Sequence, residues 1–289
     1  MNVPRSYKKS WTGYSPVVDL TINTDIARQI LVKFIRSEVT RVGYSRAVVG
    51  LSGGIDSALS CALAVEALGA ENVLAVRMPY KSSSPDSLQH AELLIEQLEV
   101  PSKTIEITDM VEPLFAVDTD ITKLRKGNIM ARERMIVLYD QSEVFKGLVI
   151  GTSNKTEILL GYSTQWGDSA AAINPIGDLY KTQLRQLSRA MNIPSPIIDK
   201  APSADLWGGQ TDEGELGFTY DEVDKLLYLL IDQRYSALEC IEEGFDEKFV
   251  NSVIARIRRN QFKRMQPPIA KLSNRTIGYD FLYLRDWGT

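Results

Sequence analysis

The sequence predicts an α/β fold: an open, mostly parallel sheet flanked by helices on both faces, with extra N- and C-terminal helices. Two observations carry that expectation. AVVGL (47–51), NVLAVRM (72–78), KTIEI (103–107) and GLVIG (147–151) are short apolar runs rich in β-branched residues and bounded by turn signals, so they read as strands. Longer segments of helical character lie between them, near 55–69, 86–98 and 122–145. Strands alternating with helices imply right-handed crossovers and a parallel sheet covered on both sides.

Residues 1–23 read as irregular. A helix is predicted from Thr24 to about Gly43, where Ile26, Ile30, Leu31 and Phe34 make one apolar stripe. An α/β core is expected over 44–200. The acidic, glycine-bearing stretch APSADLWGGQTDEGELGFT (201–219) has little periodicity and predicts a long loop, able to close as a lid. Amphipathic helices follow over 220–264, the clearest at 246–264, and then a tail at 265–289. With no internal repeat or low-complexity tract, one domain is the economical expectation.

Composition narrows the function. A chain of 289 residues can bury roughly 75% of its unfolded surface. Its net charge of −4 speaks against wrapping nucleic acid, which needs a basic face. Cys61 and Cys240 are far apart and form no CxxC, which excludes a disulfide scaffold and a cysteine zinc cluster and fits a reducing cytoplasm. Cys61 is expected in the core. His90, the one histidine, reads as an exposed helix residue, so neither a Ser-His-Asp triad nor a histidine metal site is expected. The N-terminus lacks a signal-peptide core and no window reaches transmembrane length. A soluble cytoplasmic protein with no nucleic-acid or membrane partner is expected.

The first strand runs straight into SGGIDS (52–57), and in an open parallel sheet ligands bind beyond the carboxyl ends of strands, where helix amides point outward. Gly53 and Gly54 allow close backbone approach, Ser52 and Ser57 add hydroxyls, and Asp56 could hold Mg²⁺ on a phosphate. Walker A is absent for want of a lysine, and G-x-G-x-x-G is absent too. A plain tight turn with Ser52 or Asp56 as an N-cap is the alternative. Glu157 follows the last strand and could supply a second carboxylate, or close a capping box with Asn154. Asn128 and Arg132 stand four apart and are expected on one helix face. Lys181 opens a helix, where a cation is disfavoured by the dipole and a phosphate partner would compensate.

SGGIDS resembles the pyrophosphate-binding loop of the N-type ATP pyrophosphatases, which cleave ATP between the α and β phosphates. KGNIMARERM (126–135), GTSNKTEILLGY (151–162), NPIGDLYKTQ (174–183) and PSADLWGGQTDEGELGFTYDEVD (202–224) are similar to the NAD synthetase family, in order and at similar spacing, from roughly Thr24 to Lys263. The resemblance implies ATP contacts from Gly50, Leu51, Ser52, Gly53, Gly54, Ile55, Asp56, Ser57, Arg77, Thr152, Lys181 and Ser203. It implies Mg²⁺ on Asp56 and Glu157. It implies deamido-NAD contacts at Asn128, Arg132, Gln165, Ala172, Phe262 and Lys263. Asp56, Lys181 and Asp168 become the catalytic candidates, with Asp168 near the ammonia.

The implied reaction adenylates the nicotinate carboxylate of deamido-NAD, releases pyrophosphate, and lets ammonia displace AMP. Free ammonia is the expected nitrogen source, because the chain has no room for the amidase domain of glutamine-dependent relatives. A homodimer is implied as well. Three positions depart from the family string: Gln165 and Ala172 stand where ammonia-dependent relatives carry lysine and aspartate, and Phe262 replaces a histidine before Lys263. They leave nicotinate mononucleotide as an alternative acid. A tRNA-modifying branch would want a basic face and reactive cysteines, and a non-catalytic nucleotide-binding module would lack the magnesium carboxylates.

Overall fold

Residues 18–203, 205 and 210–280 are described by a computed structural model. Most of the irregular N-terminal stretch (1–17), part of the predicted lid (204 and 206–209) and the end of the tail (281–289) lie outside the described residues.

Four strands, β1 (Ala47–Gly50), β2 (Val73–Arg77), β3 (Ser102–Thr104) and β4 (Leu148–Ile150), form a parallel sheet in the order β3-β2-β1-β4. Alternate residues serve opposite faces, and both faces are covered, which is why AVV and VLAV read as unbroken apolar runs. Ala47, Val49, Val73 and Ala75 join one core with α1 (Thr24–Arg41), α2 (Ile55–Leu68) and α3 (Pro85–Leu98). Val48, Leu74 and Val76 join the other with α4 (Thr108–Ala116) and α5 (Lys123–Phe145). Cys61 is fully buried in the first core, and burial pushes its thiol up to about 12.

The chain steps outward from β1 to β3 and then returns to the far side of β1 for β4. The carboxyl ends of β1 and β4 are therefore the switch point, where a crevice opens between diverging connections. Two helices begin there or close by, α6 (Lys155–Leu160) and α7 (Lys181–Ala190), followed by the short α8 (Ser195–Ile198). A third core, built on Leu160, Tyr180, Tyr220 and Val250, gathers α9 (Asp212–Leu216), α10 (Tyr220–Leu227), α11 (Ala237–Glu242) and α12 (Glu247–Arg259) against α6.

Several local expectations are corrected. The third strand stops at Thr104, and the amides of Ile105 and Ile107 reach the carbonyl oxygens of Arg77, the last residue of β2, and Pro79 just beyond it, each at 2.9 Å. Ile26 and Ile30 on α1 are 55% and 60% exposed, whereas Leu31 and Phe34 of the same stripe are packed against the first core and the fully buried positions are Ile35 and Val39. The predicted loop at 201–219 contains α9, whose N-cap Thr211 accepts from the Gly214 amide at 3.3 Å. The helix expected at 246–264 ends at Arg259, and a 3-10 turn covers Gln261–Arg264. His90 is half-buried rather than exposed, with a buried Nδ1 that has no partner among the described residues.

Two details aim the elements at the crevice. Gly53 has φ +79°, and a Cβ there would sit 2.0 Å from the carbonyl oxygen of Ser87 at the start of α3. Asp224 of α10 is fully buried; its Oδ1 accepts from Thr156 Oγ1 at 2.5 Å and its Oδ2 from the Thr182 amide at 2.8 Å. Thr156 Oγ1 in turn accepts from the Lys181 amide at 3.1 Å. One carboxylate from α10 thus satisfies the free amides that open α7 and ties them to α6.

Gly53→Ala should lower the unfolding free energy by about 1–3 kcal/mol through its positive φ and the Ser87 contact. Asp224→Ala should lower it by about 3 kcal/mol, since it strands buried donors, and Asp224→Asn should recover part of the loss. Denaturant titration followed by circular dichroism checks both.

Candidate active site

The SGGIDS turn is organised by its own hydroxyls. Ser57 Oγ donates to Gly54 O at 3.0 Å and accepts from the Ser52 amide at 3.2 Å, while Ser52 Oγ accepts from the Gly54 amide at 3.3 Å. Gly54 caps α2 with no side-chain bond, so the opening amides of that helix face the crevice. The alternative of Ser52 or Asp56 serving as a simple N-cap is not what forms.

Asp56 reaches across the switch point instead. Its Oδ1 accepts from Asn154 Nδ2 at 2.8 Å and its Oδ2 from Lys181 Nζ at 2.5 Å. Lys181 Nζ also lies 3.4 Å from Glu157 Oε1 and 5.1 Å from the centre of the Tyr220 ring. Glu157 closes the capping box with Asn154 at the head of α6, and its carboxylate also faces the ammonium. Burial opposes the charge on Lys181, which is 2% exposed, but Asp56 and Glu157 outweigh that and hold the ammonium above its ordinary range. Burial, then the Asp56 charge, pushes the Glu157 carboxyl well up. Asp212 adds a third acid, raised by burial and held by the hydroxyls of Tyr162 and Tyr220, each at 3.1 Å.

Three acids around one ammonium offer hard oxygen donors, the chemistry that suits Mg²⁺. Among the described residues no cluster of three or more His, Cys, Asp or Glu is arranged to hold a metal alone. Asp56 and Glu157 could therefore hold an ion shared with substrate phosphates, as Mg²⁺ usually is.

A cavity of about 600 Å³ opens beside this group. Gly50, Leu51, Ser52, Gly54, Ile55, Asp56, Ser57, Arg77, Thr152, Glu157, Lys181 and Ser203 line it, together with Asn128, Asp168 and Lys263. Gly53 shapes the turn from behind. Arg132, Gln165, Ala172 and Phe262 do not line the cavity; Arg132 is exposed and Phe262 is 57% exposed. The residues of α5 that do face it include Asn128, Ala131, Arg134 and Leu138. That 3-and-4 spacing puts Arg134, two residues on from Arg132, on the cavity side. Arg134 Nε donates to Met78 O at 3.0 Å, and burial lowers its guanidinium. Asp168 Oδ1 accepts from the Thr164 amide at 2.8 Å, and burial pushes its carboxyl above the usual range. Lys263 Nζ donates to Gly161 O at 2.8 Å and Ser163 O at 2.6 Å, so its charge sits at the carboxyl end of α6.

Sequence reasoning misses several participants. Asn154 reads locally as a cap and no more, although its side chain also fixes Asp56. Asp205 accepts from the Ser84 amide at 3.1 Å and Ser87 Oγ at 2.9 Å, which joins the 201–219 stretch to the head of α3. Lys200 Nζ donates to the same Ser87 Oγ at 2.7 Å. Their signal is polar character within or beside the quoted motifs.

A family model described as NAD synthase matches residues 27–267. An NH3-dependent NAD+ synthetase from Trichlorobacter lovleyi is 56% identical over 93% of this chain and 98% of its own length. Among solved structures, an NMN synthetase from Francisella tularensis is 34% identical, covers 87% of this chain and 100% of that one, and superposes with a TM-score of 0.78. An NH3-dependent NAD synthetase from Campylobacter jejuni, also 34% identical, covers 86% and 100% with a TM-score of 0.75. A match spanning the sheet, the SGGIDS turn, the Lys181 cluster and most of the C-terminal helices decides the matter: the chain belongs to the NAD synthase family.

Proposed function

We propose that the chain catalyses the ATP-dependent amidation of deamido-NAD+ by ammonia, giving NAD+, AMP and pyrophosphate through an adenylated acid. The observation that carries this reading is the meeting of Asp56, Lys181 and Glu157 beside the glycine turn, at a cavity that also presents Asn128, Asp168 and Lys263. The acid's carboxylate attacks the α-phosphate of ATP; the bond to the β-phosphate breaks, and pyrophosphate leaves. Ammonia then attacks the acyl carbon, AMP departs, and the nitrogen gives up a proton.

Each step asks the protein for position and charge rather than for a nucleophile. The Ser52–Ser57 turn and the opening amides of α2 receive phosphate oxygens, Lys181 offsets charge on the phosphates, and Ser203 and Thr152 bound the nucleotide. Bound Mg²⁺, held by Asp56 and Glu157, would neutralise charge on the departing pyrophosphate. Asp168, with its raised carboxyl, suits the proton given up by ammonia, because a base nearer neutrality accepts it more readily. The reaction fits a cytoplasmic protein with two buried free thiols.

We also read the active unit as a homodimer. Ile26 and Ile30 on α1, and Leu124, Ile136 and Val144 on α5, are each more than half exposed. Exposed apolar residues on two helices are what a second copy would cover.

The Francisella likeness keeps nicotinate mononucleotide as the competing acid. Pyrophosphate release with ATP, Mg²⁺ and ammonium should depend on deamido-NAD+ and respond weakly to the mononucleotide; the reverse order would move the assignment. Asp56→Asn and Glu157→Gln should each reduce kcat on the order of 10²-fold with the circular dichroism spectrum unchanged. Sedimentation at micromolar concentration should give twice the chain mass, and a monomer would overturn the dimer.

A further inference from the structure

The α12 side of the cavity carries two arginines that the chemistry above leaves unused. Arg256 and Arg259 both line the cavity, next to Asn260 and Lys263. Arg256 lies with its guanidinium carbon 6.0 Å from the centre of the Tyr162 ring. Its Nε is buried and has no hydrogen-bond partner among the described residues. Burial and then the charge of Arg259 both work against its own charge, with only partial relief from Tyr162 and the carboxylate of Glu215. Lys263 is committed differently, to the carbonyls of Gly161 and Ser163, and Arg264 to those of Ile158 and Leu159.

A half-buried guanidinium whose Nε lacks a partner among the described residues, with a second, exposed arginine at the same cavity wall, is completed by an anion. Tyr162 does not supply it, since its hydroxyl donates toward Asp212 and Glu215. ATP is an unsuitable source, because its phosphates are drawn to the SGGIDS turn and Lys181. The reacting carboxylate of the acid is drawn to the same end, where it must meet the α-phosphate. The anion left for α12 is one that the acid carries away from its reacting carboxylate.

We infer that Arg256 and Arg259 form a subsite for a phosphate of the nucleotide acid and so select phosphorylated acids over the bare nucleoside. The inference rests on the amidation reading and deepens it. It also accounts for a chain with Gln165 and Phe262 where its relatives carry lysine and histidine: the positive charge facing the acid comes from α12.

The test compares wild type with Arg256→Met, Arg259→Met and the double variant. KM is measured separately for deamido-NAD+ and for ATP, and the nucleoside acid, nicotinate riboside, is assayed alongside. Removing a charge-assisted hydrogen bond to a phosphate predicts a rise in KM for deamido-NAD+ of about 10–100-fold in Arg256→Met. KM for ATP should stay within about twofold, and the preference for deamido-NAD+ over the riboside should shrink by the same factor as the KM rise. Arg256→Lys should retain much of that preference, which separates the charge from the fold. Unchanged KM for deamido-NAD+, or a rise confined to ATP, overturns the subsite while wild-type activity upholds the reaction. A wild type that releases no pyrophosphate with either nucleotide acid overturns the reaction, and the subsite with it.

Discussion

The ammonium of Lys181 is the interaction on which the site depends. It is almost fully buried and it sits at the first position of a helix, where the dipole disfavours a cation. Left alone, it would lose its proton to burial. It stays charged because Asp56 arrives from the turn after β1 and Glu157 from the helix after β4. Three segments are thereby locked at the switch point, and the lock is made of the groups that a polyphosphate and its metal ion would use.

Around this charge cluster the molecule divides its labour. The sheet and the α2 and α5 layers are packed through small and branched apolar side chains, which gives the SGGIDS turn a rigid base. The C-terminal helices form a separate core, and from it Asp224 reaches back to hold the heads of α6 and α7. A nucleophilic side chain is not needed for acyl transfer through an adenylate, which agrees with a buried, inert Cys61. Water exclusion matters more, because an adenylate exposed to solvent would hydrolyse. Asp205 is bonded to the head of α3 on that side of the crevice.

The three departures from the family string lie outside the cavity wall, so they remove no group from it. The wall itself presents Asn128 and Arg134 from α5, Asp168, and the basic end of α12. Membership of the NAD synthase family therefore fits a chain that differs from its ammonia-dependent relatives at Gln165, Ala172 and Phe262.

Local sequence determined a good deal. Short β-branched runs between helical segments specified a covered parallel sheet, because a strand buried on both faces must be apolar throughout. SGGIDS directly after such a run specified a turn at the mouth of the crevice, and Asn154 with Glu157 at capping-box spacing specified the head of α6. Periodicity was a weaker guide at surfaces: Ile26 and Ile30 share a stripe with Leu31 but stay exposed, since a stripe does not say which neighbour covers it. Tertiary structure alone decided that Lys181 meets Asp56 across 125 residues of chain, that Asp224 caps a helix it does not belong to, and that Arg134 rather than Arg132 faces the cavity. The reason is physical: propensity and capping act within a few residues, whereas these encounters follow from strand order and helix rotation, which only the packed whole fixes.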